Sequence, residues 1–381
     1  MIARLWSSER LRGWCLQGLL IAAVATVVGY FAVNTVGNLE RRSIPFGLGF
    51  LSRPAGFDFP FHVLDWKVTD TYGRAVVVAL ANTVLVSVLA IATTTVLGLV
   101  LGIMRLSLNW LVRTTATLIV EFIKNTPQLI QIFFFYIAVL QALPQARESF
   151  QAAGMFLNIR GLFLPAPVMG DAAGLDALAL LVAVALGSVL WRGRARVTGT
   201  ARRALAAVAW LLPLGALVHA WATGMIAAWE WPELRGFNFR GGWVVRPELL
   251  ALWIGLSVYT GVFIAEIVRS AINAIDRGQT EAARSLGLTR GQNMRLVILP
   301  QALRLIIPPL TSQYLNVIKS SSLGAAIAYP EVFLMIGGTT LNQTGQAIEA
   351  MAIVMSVFLS VNLVTSAGMN WYNRAVALKE R

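Results

Sequence analysis

The sequence contains little charge. Of its 381 residues, 13% are charged and 57% are hydrophobic, and the mean hydropathy is +0.69. A soluble domain carries about 25% charged residues, so this composition predicts an integral membrane protein. The formal net charge of +13 would indicate a nucleic-acid partner in a soluble protein. In a membrane protein it is typical of arginines retained on the cytoplasmic side, and we expect no nucleic-acid partner.

Residues for metal, disulfide and nucleophilic chemistry are also scarce. The single cysteine, Cys15, excludes an intrachain disulfide, and we expect it to be a small buried hydrophobe. His62 and His219 stand far apart with no ligand at metal-binding spacing, so we predict no metal site. The chain has no Gly-Lys-Ser/Thr and therefore no P-loop for ATP. Since no nucleophile–base pair is evident either, we predict neither an enzyme nor a resident cofactor.

Long apolar runs predict an all-α integral membrane protein with eight transmembrane helices. The first run follows the basic residues Arg4, Arg10 and Arg12 and lacks a persuasive cleavage site. The predicted spans are about Leu16–Val36, Ala75–Met104, Ala116–Leu140, Leu175–Trp191, Ala204–Thr223, Leu249–Asn273, Leu305–Ser322 and Ile348–Trp371. If both termini are cytoplasmic, the cytoplasmic segments hold most of the Arg and Lys residues, as the positive-inside rule requires. Thr126-Pro127 should interrupt the third span.

The three predicted external loops, residues 37–74, 143–172 and 224–247, are rich in aromatic residues, proline and glycine. Their aromatic residues include Trp66, Tyr72, Trp231 and Trp243. We expect these side chains to lie at the level of the lipid headgroups, as aromatic belts do. A ligand cage is the alternative.

Three predicted spans carry polar residues at helical spacing, which is costly in a bilayer unless the charges pair or face water. Glu121 with Lys124, and Glu266 with Arg269, could pair within their own helices and serve structure alone. Lys319 has no acidic neighbour in its span, so it needs a distant partner or an aqueous path. The candidate substrate path consists of Glu121, Lys124, Asn125, Gln128, Asn316, Lys319 and Ser322.

One polar, arginine-rich segment, residues 278–300, separates two long apolar blocks. Residues 279–286 predict a short helix that stops at Gly287. Thr289 can cap a second short helix, whose pattern ends at Pro300. Such a helix–glycine–helix elbow indicates a docking surface, and the alternative is a basic segment that lies on anionic lipid.

The residues of this segment resemble a known family motif. The pattern is Glu-Ala-Ala, three residues, Gly, nine residues and Ile-x-Leu-Pro, and this sequence has Val297 at the Ile position. It is similar to the coupling loop of the permease subunits of bacterial ABC importers for polar amino acids. The segment from Glu121 to Pro127 resembles the same subfamily, in which Arg-Gly usually replaces Lys124-Asn125. Two of the predicted spans, Leu175–Trp191 and Ala204–Thr223, lie in an insert between the two blocks that resemble this family. With this insert, the arrangement of spans is similar to that of the general L-amino-acid permease subunits.

The resemblance implies the transmembrane fold of a type I ABC importer, in the bacterial inner membrane. The coupling loop would then comprise Glu281, Ala282, Ala283, Gly287, Val297, Leu299 and Pro300. Glu281 would meet an arginine of a cytoplasmic ATPase, Ala282 and Ala283 would permit close approach, and Gly287 would provide the turn.

The implied partners are two ATP-binding subunits, a periplasmic solute-binding protein, membrane lipid and a second permease, either a paralogue or another copy of this chain. The substrate would be a polar L-amino acid, and ATP would be bound by the partner. A proton- or sodium-coupled secondary transporter, with Glu121 or Glu266 as proton carrier, is the alternative.

The predicted organisation has five parts. Residues 1–74 form the first helix and external loop, residues 75–142 and 247–372 form the two parts of the permease domain, residues 143–246 form the insert, and residues 373–381 form a cytoplasmic tail.

Overall fold

The computed structural model describes residues 9–41, 46–170, 173–193 and 199–376, and these are mostly helical. Arg4 of the predicted basic N-terminus and residues 377–381 of the predicted tail lie outside the described residues. The helices are α1 (Glu9–Arg41), α2 (Tyr72–Met104), α3 (Trp110–Lys124), α4 (Gln128–Phe133), α5 (Ala173–Gly193), α6 (Gly199–Ala222), α7 (Pro247–Asn273), α8 (Arg277–Ser285), α9 (Arg290–Asn293), α10 (Leu299–Ser320), α11 (Leu341–Thr344) and α12 (Ala347–Val376). Three π-helical turns (Phe134–Leu140, Met294–Ile298 and Phe333–Thr340) and three 3-10 turns (Leu48–Ser52, Ala146–Glu148 and Ser321–Ile327) supplement them.

The predicted spans agree with the helices. Within the described ranges, seven helices are long and apolar enough to cross a membrane. An eighth candidate span consists of two shorter helices, Trp110–Lys124 and Gln128–Leu140, separated by a break. The predicted interruption at Thr126-Pro127 is therefore confirmed, and Pro127 is the N-cap of α4. The orientation of the termini stays a prediction.

The chain divides into two compact units. Unit 1 comprises Met1–Asn125 and Leu256–Arg381, and unit 2 comprises Thr126–Gly255. Unit 2 contains the whole predicted insert, residues 143–246, together with the segments on either side of it.

In unit 1, α2 is packed closely by its neighbours because it carries small residues. A Cβ atom added at Gly98 would collide with the side chain of Ile264 and lie 2.9 Å from the carbonyl oxygen of Gly261. One turn later, a Cβ at Gly102 would lie 2.8 Å from Val268. Small residues at such positions let transmembrane helices approach backbone to backbone.

The segment before α2 folds onto it as an aromatic cluster. Phe50, Phe59, Trp66 and Tyr72 are each less than 9% exposed, and the rings of Phe57 and Trp66 stack with centroids 5.7 Å apart. Trp66 and Tyr72 therefore pack inside the chain instead of facing lipid, and their position at the level of the headgroups stays a prediction.

A buried polar residue ties the same segment to the distant segment 328–334. The Asn82 side chain accepts a hydrogen bond from the Val63 amide and donates to the carbonyl oxygens of Phe61 and Pro330. The Tyr329 hydroxyl donates to the Asn82 carbonyl over 2.8 Å. Since Asn82 is fully buried, its hydrogen-bonding groups need these partners.

The N-terminal helix α1 contributes nothing to this core. Its candidate span is 0% buried inside the chain, and Cys15 is exposed. The expectation of a buried Cys15 is wrong because α1 packs against no other part of the described chain, so its apolar surface is left for lipid or another subunit.

Unit 2 contains strands that the sequence analysis did not predict. They are β1 (Phe150–Ala152), β2 (Met155–Asn158), β3 (Gly161–Leu164), β4 (Ala166–Met169), β5 (Ile226–Glu230), β6 (Glu233–Arg235), β7 (Asn238–Arg240) and β8 (Trp243–Val245). All pairs are antiparallel, in one four-stranded sheet of order β1-β2-β3-β8 and two two-stranded sheets, β4-β5 and β6-β7. Phe156, Phe163 and Phe239 form a small aromatic core there, whereas Trp231 and Trp243 are more than half exposed.

The inserted helices α5 and α6 form a hairpin with close backbone contact. A Cβ added at Gly187 would lie 2.5 Å from the carbonyl oxygen of Ala209. At one end of the pair, the Thr223 hydroxyl donates to the carboxylate of Asp176, which is 4% exposed.

Replacing Gly98 by Leu should destabilise the protein, because the larger side chain cannot fit between α2 and α7. We expect a loss of about 1–3 kcal/mol in the free energy of unfolding. Gly29→Leu in α1 is the matched control, since nothing lies within 4 Å of a Cβ at Gly29. SDS-induced unfolding of the purified chain measures both variants, and equal stability would contradict the close packing.

Candidate coupling elbow and polar path

The elbow, residues 276–300, begins with a well-formed short helix. The Asp276 side chain caps α8 by accepting a hydrogen bond from the Gly278 amide over 2.6 Å. The helix ends at Ser285, and Gly287 follows with a φ of +78°. The Leu288 amide donates to the carbonyl of Ala283, and the Gly287 amide donates to that of Arg284. This pair of bonds is the Schellman motif, which requires a left-handed residue and explains why glycine stands at 287.

The second half of the elbow continues without interruption into the next span. Thr289 caps α9 through a capping box with Gln292, as predicted. The prediction that this helix ends at Pro300 is wrong. After α9, the π turn Met294–Ile298 leads directly into α10, in which Pro300 occupies the first turn. Pro300 has no N–H to donate to the preceding turn, and the π turn immediately before it is where the backbone hydrogen bonding of the helix adjusts.

The elbow presents a mixed surface. Glu281 and Ala282 are exposed, and Leu286 is 82% exposed, whereas Ala283 is 3% exposed and packs inward. Leu299 and Pro300 are exposed, and Val297 is half-buried. The Gln301 side chain donates to that of Gln279 over 3.3 Å and joins α8 to α10. The elbow therefore exposes both a carboxylate, Glu281, and a large apolar side chain, Leu286, which suits a protein partner.

Four charged side chains from three helical elements form an ion cluster in unit 1. Arg105, the C-cap of α2, places its Nη1 atom 2.8 Å from Oε1 of Glu266 on α7. Lys124 on α3 lies 2.8 Å from Glu121 and 3.5 Å from the same Glu266 oxygen. The fourth contact, Arg105 to Glu121, is 3.9 Å. Two cations and two anions leave the cluster neutral.

The predicted pairing of Glu121 with Lys124 is confirmed, but the pairing of Glu266 with Arg269 is wrong. Glu266 contacts Arg105 and Lys124 because α2 ends beside Glu266. The Arg105 side chain is only 1% exposed there. The sequence analysis did not select Arg105. The sequence feature that could have identified Arg105 is a single cation at the end of an apolar span. Such a cation needs a counter-ion when it is buried.

The remaining polar residues near α3 take different roles. Asn125 caps the C-terminus of α3, and its side-chain amide donates to the Glu121 carbonyl over 2.6 Å. Gln128 belongs to unit 2 and is half-buried, and its amide nitrogen has no hydrogen-bond acceptor in the described part of the chain.

The second half of the predicted path lies at the far end of α10. Asn316 and Lys319 are exposed on its last turns, and the Ser322 hydroxyl donates to the Lys319 carbonyl over 2.8 Å. No ion pair among the described residues joins Lys319 to the ion cluster. The structure therefore divides the candidate path into a neutralised cluster and a free cation. Among the described residues, no group of three or more His, Cys, Asp or Glu could hold a metal ion.

These features belong to a known class of membrane protein. The profile of the family described as "Binding-protein-dependent transport system inner membrane component" matches residues 94–378. The chain belongs to this family and is a multi-pass inner-membrane protein. The predicted resemblance to ABC importer permeases is confirmed.

Three relatives match almost the whole chain. It is 48% identical to the "Putative amino-acid ABC transporter permease protein YhdX" of Escherichia coli, over 99% of this chain and 97% of the relative. It is 43% identical to the "General L-amino acid transport system permease protein AapQ" of Rhizobium johnstonii, over 96% and 92%. It is 37% identical to the "Glutamate/glutamine/aspartate/asparagine transport system permease protein BztB" of Rhodobacter capsulatus, over 98% and 95%.

Replacing Glu266 by Gln should destabilise the protein by about 3 kcal/mol, because Arg105 loses its nearest carboxylate while it stays buried. The double variant Arg105→Met/Glu266→Met should recover most of this loss, since apolar residues of similar volume replace a buried pair at little cost. The free energy of unfolding in SDS measures both.

Glu233→Gln is the matched control. It breaks a pair with Arg235 in which both side chains are about two-thirds exposed, so we expect a loss below about 1 kcal/mol. An equal effect of Glu266→Gln and Glu233→Gln would show that the ion cluster does not stabilise the fold.

Proposed function

We propose that this chain is the permease subunit of an ATP-driven importer that carries polar L-amino acids from the periplasm to the cytoplasm. The observation that carries the proposal is the elbow, whose exposed Glu281 and glycine-fixed turn occur in a chain of the binding-protein-dependent transport family. The names of the three full-length relatives support the substrate class, since each describes an amino-acid permease.

The energy source is ATP hydrolysed by two separate cytoplasmic subunits. The chain itself has no P-loop, and the elbow offers the surface on which an ATPase can act. Glu281 would pair with an arginine of the ATPase, and Leu286 would enter an apolar groove beside it. Charge complementarity sets the register of such an interface, and the buried apolar anchor supplies most of its affinity.

The geometry of the elbow suits mechanical coupling. The Gln279–Gln301 hydrogen bond joins α8 to the start of α10, and α9 continues into α10 through a π turn. From Leu299 to Lys319, α10 extends roughly 30 Å at 1.5 Å per residue. A tilt imposed on α8 by closure of the ATPases would therefore be transmitted along α10 to the polar residues at its far end. Closure of the ATPases would shift the equilibrium between two packings of the spans, one open to the periplasm and the other open to the cytoplasm.

Lys319 and Asn316 are the residues of this chain that we place in the substrate path. An exposed cation without a protein counter-ion can accept the carboxylate of an amino acid, and the neighbouring amide can bind its polar groups. Glu121, Lys124 and Asn125 instead stabilise the α3 end.

Two further partners complete the proposed assembly. A second permease, either a paralogue or another copy of this chain, would enclose the path from the opposite side. A periplasmic solute-binding protein would deliver the amino acid, in keeping with the description of the family.

A secondary transporter is the weaker candidate. Glu121 and Glu266 both contact Lys124, so neither is the isolated carboxylate that a proton carrier needs. Such a transporter would also have no use for the elbow.

Gly287→Asp and Glu281→Lys should each leave the chain in the membrane but abolish ATPase co-purification and ATP-dependent uptake into proteoliposomes. The first variant strains the left-handed turn, and the second reverses the charge at the docking surface. Gly345→Asp is the matched control, since Gly345 also has a positive φ, +69°, but lies away from the elbow. Uptake that persists in both elbow variants, with the ATPases still attached, would refute the coupling role.

Lys319→Ala should raise the KM for amino-acid uptake by about 10- to 100-fold, the effect of one lost charge-assisted hydrogen bond. Lys319→Arg should restore part of the affinity, and Lys67→Ala, which removes an exposed lysine from the external loop, should change nothing. Uptake assays with the assembled transporter measure the three variants. An unaltered KM and substrate preference in Lys319→Ala would remove Lys319 from the path.

A further inference from the structure

The inserted hairpin of α5 and α6 carries two cavities that the proposed transport function does not use. The first, about 610 Å³, is lined by Gly199, Thr200, Arg202, Arg203 and Ala206 at the start of α6. The second, about 370 Å³, lies between the two helices and is lined mainly by apolar groups, among them Gly187, Trp191, Trp210 and Pro213. One cavity is cationic and the other is apolar.

The two cavities follow one stripe of α6. The lining residues Arg202, Ala206, Ala209 and Pro213 recur at intervals of three or four, which places them on the same face of a helix. The first cavity ends at Ala206 and the second begins at Ala209, less than one helical turn further on. These two neighbouring pockets, which we call the groove, give one face of α6 a charged end and an apolar length.

The dimensions and charges of this groove fit one phospholipid. From Arg203 to Trp210 is roughly 10 Å along the helix, at 1.5 Å per residue. This length is similar to the distance in a phospholipid between the headgroup phosphate and the upper part of the acyl chains. Trp191 and Trp210 contact each other edge to face at this level, with ring centroids 5.9 Å apart, as expected for aromatic residues near the membrane interface.

The cationic end has no counter-ion from its own neighbourhood in sequence. Between Asp176 and Glu230 the chain contains five arginines and no acidic residue. Within the described residues, Arg202 and Arg203 are exposed and form no ion pair. Basic pockets between transmembrane helices bind anionic headgroups, and each arginine near the surface contributes comparably to such binding.

We propose that the α5–α6 hairpin binds one anionic phospholipid, with its phosphate at Arg202 and Arg203 and an acyl chain in the groove beside Trp210 and Pro213. The ligand class is a glycerophospholipid of net negative charge, such as phosphatidylglycerol. A zwitterionic phosphatidylcholine offers the same acyl chains, but its ammonium group opposes the two arginines.

Native mass spectrometry of the full chain tests this proposal with dioleoyl phosphatidylglycerol and dioleoyl phosphatidylcholine as probes. Arg202→Gln/Arg203→Gln should weaken phosphatidylglycerol binding about 30-fold and leave phosphatidylcholine binding unchanged. Arg235→Gln/Arg240→Gln, which removes the same charge from the β6–β7 hairpin, should weaken neither. Ser188→Trp, which fills the groove, should also weaken phosphatidylglycerol binding.

Three results would overturn the proposal. One is unchanged phosphatidylglycerol binding in the Arg202/Arg203 variant. Another is a parallel loss of both lipids, which would indicate general damage to the hairpin. The third is displacement of the lipid by inorganic phosphate or by co-purified transporter subunits, which would indicate a soluble-anion site or a subunit interface. Retention of the parental SDS unfolding profile confirms that each variant is folded.

Discussion

The need to neutralise buried charge organises unit 1 of this chain. Arg105 ends a helix of 33 residues and is almost completely buried, so it requires a carboxylate. Glu266 on α7 supplies it, and Lys124 and Glu121 on α3 complete a neutral set. The pairing constrains α2 and α7 at one point, because displacing either helix would leave the buried Arg105 without its nearest carboxylate. The close approach of α2 and α7 at Gly98 then follows from packing against the same neighbours.

Different residues of the elbow provide its exposed surface and fix its turn. Its exposed residues, Glu281 and Leu286, are available to a partner, whereas Ala283 packs inward and two hydrogen bonds around Gly287 fix the turn. The chain continues helically from α9 into α10, so the proline that suggested a helix end lies just after the π turn within a continuous helical run.

Local signals predicted more of this protein than distant ones. The apolar runs, the interruption at Pro127 and the capping residue Thr289 all act within a few positions, and the structure agrees with the spans and with this cap. The Arg105–Glu266 pair joins residues that are far apart in sequence, and no local pattern could identify it. The strands of unit 2 were missed because they are only three to five residues long, and β1, β5 and β6 are exposed throughout and so lack the alternating burial that marks a strand.

The partner of each cation indicates its role. Arg105 is buried and has carboxylates from this chain, so its charge serves the fold. Lys319 is exposed at the end of α10, and no described carboxylate pairs with it, which is why we propose it as a site for a substrate carboxylate. Arg202 and Arg203 lie in a segment without acidic residues and beside an apolar groove, which suits an anion with acyl chains. In a chain with only 18 acidic residues against 31 basic ones, many cations must find anions outside the protein. The excess of positive charge is consistent with the proposed recognition of substrate and lipid as well as with the predicted topology.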